Sequence, residues 1–219
     1  MFKLILFDFD DTLCLSEEAC FNFENEIAMS MGLEPMDRSI HRITWGQSLK
    51  DAIKERIPGI NVGEFMRRFD KMLPQAIKDG KMDTVTNKNL AVLDELKADG
   101  KKLAVVTSRS YIEVKPMLSL DHPLGTRIDA FYHRDNSEHL KPDPRVFNKP
   151  LYELDVTPQE TVYIGDSLKD GFAAKGAGLS FIAVLESGLV GKPAFANVGI
   201  EVDFFADDFT DCLDFILQH

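Results

Sequence analysis

Cysteine is scarce in this 219-residue chain. Cys14, Cys20 and Cys212 are the only three, and their spacing suits neither a disulfide framework nor a zinc site. Cations are also in short supply: 25 lysines and arginines face 36 aspartates and glutamates, a formal net charge of −11. That balance argues against nucleic acid and anionic membrane surfaces as partners. No apolar run is long enough to span a bilayer, and the first one is broken at Asp8 before it reaches signal-peptide length. There is no low-complexity tract and no internal repeat. The expectation is a cytoplasmic protein, monomer or homodimer, that meets a small molecule rather than a polymer or a membrane. A negatively charged ligand would need a local cation or a metal ion to offset the field of the whole chain.

What is present is a hydrophobic fraction of 44%, ample for a sizeable core. Leu4, Ile5, Leu6 and Phe7 form a continuous apolar run, the pattern of a strand buried on both faces. It ends in "DFDD", which places Asp8, Asp10 and Asp11 within four residues. Carboxylates so close together repel one another, and protonation or a bound cation relieves that repulsion.

Residues 15–81 read as helical throughout. Ser16 is a candidate cap for a helix carrying Cys20, Phe23, Ile27 and Met31, with Gly32 as its stop. Ile40 and Ile43 suit a shorter helix. Leu49, Ile53 and Ile57 mark a third, and Phe65, Phe69, Met72 and Leu73 a fourth, in which Pro74 is a candidate kink. From residue 82 the pattern changes. A helix with Leu90, Leu93 and Leu96 leads into the strand signal "KKLAVVTS". Further strand signals follow in "RIDAFYH", "TVYIGDS", "SFIAVLE" and "VDFFA", with helices near 144–154, 168–178 and 209–217.

Strands alternating with helices predict an α/β fold with a doubly wound parallel sheet. Its core would comprise 1–14 and 82–219, with an all-helical domain, 15–81, inserted after the first strand. Ligands of such sheets bind beyond the carboxyl ends of the strands. Three strands deliver polar residues there: Asp8 and Asp10 from the first, Thr107 and Ser108 from the second, Asp166 from "VYIGDS", with Asp170 one helical turn later. Lys141 stands in "LKPDP" between the last two, where Pro142 and Pro144 restrict the backbone.

In this order, the residues resemble the four motifs of the haloacid dehalogenase superfamily on its phosphatase side, and in particular the phosphoglycolate phosphatase-like branch with a helical cap. DxDxT is present as Asp8, Asp10 and Thr12, the second motif as Thr107, the lysine motif as Lys141 in "KPDP", and GDSxxD as "GDSLKD" with Asp166 and Asp170. The resemblance implies a Rossmann-like core and a magnesium-dependent phosphatase acting on a small phosphorylated metabolite. It implies Asp8 as nucleophile, forming an aspartyl phosphate, and Asp10 as general acid and base. Thr107, Ser108 and Lys141 are implied as phosphate-binding residues. Asp8, Asp166 and the Asp10 backbone carbonyl are the implied magnesium ligands, with Asp170 in support.

Asp11 stands where many relatives have glycine, and its reading is structural, since aspartate tolerates unusual turn dihedrals. Arg109 is open between a phosphate contact and solvent. In "RITWGQS", Arg42 is a candidate reader of an acidic substrate and Trp45 reads as cap packing. A phosphomutase uses the same Asp pair and is the alternative within the superfamily. A phospho-accepting receiver domain is the alternative from another class, although receivers lack both the helical block and GDSxxD. Phosphoglycolate-type acids, sugar phosphates and nucleotides all remain open as substrates.

Overall fold

Strand β1 (Leu4–Phe7) has no exposed residue, because it lies in the middle of a six-stranded sheet. The computed structural model describes all 219 residues. After β1 come four helices, α1 (Ser16–Ser30), α2 (Arg38–Ile43), α3 (Leu49–Arg56) and α4 (Val62–Lys78). Then follow α5 (Asn87–Ala98), β2 (Lys102–Val106), α6 (Tyr111–Val114), β3 (Ala130–Tyr132), α7 (Asn148–Glu153) and β4 (Thr161–Gly165). The chain finishes with α8 (Leu168–Gly176), β5 (Ser180–Val184), α9 (Lys192–Asn197), β6 (Phe204–Ala206) and α10 (Cys212–Gln218). It divides into two compact units, Met1–Cys14 with Val85–His219, and Leu15–Thr84.

In the first unit the sheet order is β3-β2-β1-β4-β5-β6, with every pair parallel. This is the α/β Rossmann-like architecture expected from the alternation of elements. Side chains leave a strand on alternate faces. Ile5 and Phe7 accordingly join Leu103, Val105, Val162 and Ile164 in one apolar layer, while Leu4 and Leu6 join Ala104, Val106, Tyr163 and Phe181 in the other. Both faces are apolar because helices cover both. The register sets Phe7 against Val105 on one side and Ile164 on the other. The three strands thus end almost level, and Asp8, Thr107 and Asp166 emerge at one edge.

The second unit is all helical, with Phe23, Ile27, Ile53, Phe65 and Met82 in its apolar cluster. It also holds buried charge. Arg56 pairs with Glu24 at 2.6 Å, and Nδ1 of His41 lies 2.8 Å from Glu17. Arg42 is half-exposed, with Nε 3.7 Å from Glu17, and the Trp45 ring packs against His41 at 5.4 Å.

Several local expectations change. Ser16 is not the cap of α1. It is the first helical residue and is buried, Leu15 occupies the cap position, and no side chain bonds there. Glu17 and Glu18 in the first turn supply the negative charge that suits a helix N-terminus. Helix α4 runs through Pro74 without ending. The segment near 144–154 begins as a 3₁₀ turn, Pro144–Phe147, and turns α-helical only at Asn148. Helices α6 and α9 had no apolar periodicity to announce them, being only one to two turns long.

Candidate active site

Asp8 leaves the end of β1 with its backbone N–H donating to the Ile164 carbonyl at 2.8 Å. The sheet therefore holds it until the last atom of the backbone ladder. Its Oδ1 accepts the Phe9 N–H at 2.7 Å and lies 2.8 Å from Lys141 Nζ. No protein group bonds Oδ2. Asp8 is 9% exposed, and burial pushes its carboxyl up to about 7, against the pull of Lys141 and with the help of Asp170.

Lys141 reaches in from the loop before α7 and is almost wholly buried. Its ammonium lies 2.7 Å from Asp170 Oδ1 and 2.8 Å from the Tyr163 hydroxyl, besides Asp8. Three acceptors match its three N–H donors. Burial on its own would favour the neutral amine; Asp170 and Asp8 outweigh it and hold the ammonium charged.

Asp170 is fully buried on the first turn of α8. Its Oδ1 accepts from Lys141 and from the Tyr163 hydroxyl at 2.9 Å. Its Oδ2 accepts the Ser167 N–H at 3.0 Å and the Ser167 hydroxyl at 2.5 Å, closing a capping box. Burial works against its ionised form, and Lys141 more than compensates, keeping its carboxyl below the usual range. All of its bonding capacity is directed at protein groups, so its geometry is that of an anchor for Lys141 and for the start of α8.

Asp166 differs. It is 7% exposed, and no protein group hydrogen-bonds its carboxylate. Burial, with Asp170, Asp8 and Asp11 nearby, pushes its carboxyl well above the usual range. Oxygens of Asp8, Asp166 and Asp170 lie within 4.8 Å of one another. A buried carboxylate without a partner is costly. Hard oxygen donors in this arrangement suit a small divalent cation. The residues present therefore fit the metal that the resemblance implies.

Asp10 and Thr107 meet at a different point. The Arg109 guanidinium grips both Asp10 carboxylate oxygens, Nη2 to Oδ1 at 2.6 Å and Nε to Oδ2 at 2.9 Å. It also lies over the Phe9 ring, 4.6 Å from its centroid. Thr107 is buried, and its Oγ1 accepts the Arg109 N–H at 3.2 Å. Ser108 is exposed. Asp11 takes φ 55°, the left-handed region that aspartate tolerates, and is buried. The Thr12 hydroxyl is buried without a partner.

Two residues of this constellation were not legible beforehand. Arg109 was open between phosphate and solvent; it is directed at Asp10. Tyr163 reads in sequence as one more apolar strand position. The only available signal was chemical: a phenol inside a fully buried strand needs a partner for its hydroxyl.

Residues 5–184 match the family described as haloacid dehalogenase-like hydrolase. The chain belongs to that family. The crystal structure of CbbY from Rhodobacter sphaeroides in complex with phosphate is similar to it with a TM-score of 0.75 and 27% identity, covering 98% of this chain and 100% of that one. A phosphorylated carbohydrates phosphatase of Thermotoga maritima is 27% identical over 203 residues, 86% of this chain and 92% of that protein. Pyrophosphatase PpaX of Bacillus mycoides is 35% identical over 92 residues, a match that spans 42% of each chain. These relatives lie on the phosphatase side of the family, and the chain is a hydrolase of that side. Family membership sets aside the receiver-domain alternative. No helix is long and apolar enough to cross a membrane.

Proposed function

We propose that this protein is a magnesium-dependent phosphatase of a small phosphorylated metabolite, working through an aspartyl phosphate on Asp8. The observation that carries the reading is the asymmetry of the Asp8 carboxylate. Oδ1 is pinned by Lys141 and the Phe9 N–H, while Oδ2 is left open at the strand edge beside an unpartnered Asp166. A nucleophile needs one oxygen fixed for aim and the other free for attack.

Asp8 and Asp166, with the Asp10 carbonyl, would hold the metal. When bound, it supplies positive charge that offsets the repulsion between a carboxylate and a phosphate dianion. The chain's own groups do the rest. Oδ2 of Asp8 attacks phosphorus, and the ester oxygen leaves with a proton from Asp10. Asp10, now a carboxylate, takes a proton from water as that water attacks the phospho-aspartate, which returns Asp8 and frees inorganic phosphate. Lys141 keeps Oδ1 neutralised throughout, and Asp170 with Tyr163 keeps Lys141 in place. Thr107 and Ser108 would bond phosphoryl oxygens. In this reading the helical unit selects the substrate, and the sheet unit performs chemistry common to many esters.

The test is phosphate release from a panel of phosphoglycolate-type acids, sugar phosphates and nucleotides, with magnesium and with excess chelator. Turnover is expected with magnesium alone. Asp8→Asn should abolish it with an unchanged circular dichroism spectrum, since the side chain keeps nearly the same volume. Full activity in chelator, or in Asp8→Asn, would remove these groups from the mechanism.

A further inference from the structure

We propose that Arg109 is an exchangeable counter-ion: it holds Asp10 in the ligand-free site and transfers its guanidinium to the phosphoryl group when a phosphate ligand arrives. The inference rests on the phosphatase reading above and deepens it.

A proton carrier needs an oxygen directed at the leaving group. In this structure both Asp10 oxygens are engaged in the guanidinium fork, at 2.6 and 2.9 Å. The grip has to loosen before Asp10 can meet a substrate oxygen. The three N–H donors of Lys141 already meet Asp8, Asp170 and Tyr163, so a dianion arriving at the site calls for a cation in addition to Lys141.

Both members of the pair stand two residues from groups expected at the phosphate, Asp10 from Asp8 and Arg109 from Thr107. The Arg109 N–H already bonds Thr107 Oγ1. Its guanidinium rests on the buried Phe9 ring, a flat surface across which it can swing while keeping its cation–π contact. The side chains of Arg109 and Asp10 are 11% and 29% exposed, so the pair is near the mouth rather than sealed in the interior. A phosphate dianion presents twice the charge of a carboxylate and three acceptor oxygens, and guanidinium matches it with two parallel bonds. The dianion therefore wins the competition once bound.

A double-mutant cycle on inorganic phosphate binding, read by isothermal titration calorimetry in magnesium, tests this. Asp10→Asn removes the competitor. With Arg109 present it should tighten phosphate by roughly tenfold or more, the scale of one charge-assisted hydrogen bond. In an Arg109→Gln background the same change should give only the small gain of relieved repulsion. Arg109→Met carries the same cycle should Arg109→Gln melt early. Equal gains in both backgrounds would overturn the exchange while leaving the phosphatase reading intact. A wild-type protein that binds no phosphate and hydrolyses no phosphate ester would overturn both. Arg109→Gln alone should raise KM for phosphate esters more than it lowers kcat; a fall in kcat at constant KM would mark a fixed clamp on Asp10 and sink the proposal.

Discussion

Lys141 Nζ lies 2.8 Å from Asp8 Oδ1 and also binds the fully buried Asp170. One ammonium thus neutralises two carboxylates that come from different ends of the chain. Removing one member of a buried ionic group leaves uncompensated charge, at a cost of about 3–5 kcal/mol. Lys141→Ala should lower unfolding stability by that order in urea titrations without metal. Magnesium should return part of the loss, because the stranded carboxylates are then paired again. An unchanged urea midpoint would mean that the ammonium contributes nothing net.

Metal-free stability should depend on pH in a defined direction. The Asp8 carboxyl is raised from 3.8 to about 7, and Asp166 is raised as well. Between about pH 4 and pH 7 the folded chain therefore holds protons that the unfolded chain releases. Their contribution to stability is full below pH 4 and is lost as pH rises through 7. Melting temperatures in chelator should fall over that window, and Asp8→Asn should flatten the slope. Magnesium competes with those protons and should also flatten it. A chelated wild type that gains stability toward pH 7 would contradict the assignment.

Gly165 ends β4 directly against α8. A Cβ there would sit 2.6 Å from both Cβ and Cγ of Asp170, closer than packed atoms approach. Gly165→Ala should push Asp170 away, at a cost of roughly 1–3 kcal/mol, and loosen its hold on Lys141. Turnover is expected to fall together with stability. Gly178→Ala is the comparison, because it meets no atom within 4 Å and carries only the strain of its positive φ; it should lower stability while leaving kcat alone.

Arg42 stands half-exposed on α2 with only a 3.7 Å approach to Glu17, so its charge is available to a ligand. If it reads an acidic substrate, Arg42→Ala should reduce kcat/KM for the best acidic ester by about 1–3 kcal/mol in log-rate terms. Hydrolysis of para-nitrophenyl phosphate should barely change. Equal losses on both esters would indicate a folding defect, and no loss on either would retire Arg42 as a specificity residue.

Much of this protein was legible along the chain, for a physical reason. A parallel sheet needs continuous apolar strands, crossover helices and polar residues at the carboxyl ends, and each of these is a local pattern. The run Leu4–Phe7 followed by Asp8 is therefore readable, as are "LAVVTS" and "VYIGDS". The roles expected of Asp8, Lys141 and Asp166 came from the resemblance of their motifs to the family. What only the tertiary structure decided is which charges meet. Arg109 chooses Asp10 over solvent because the loop after β2 returns beside the loop after β1, ninety-nine residues away. Tyr163 joins the Asp170–Lys141 pair because strand register, not composition, brings its hydroxyl to Asp170. Ser16 is buried as the first residue of α1 instead of capping it. Periodicity along the chain specifies which face is apolar; it carries no information about which ion finds which partner across the sheet.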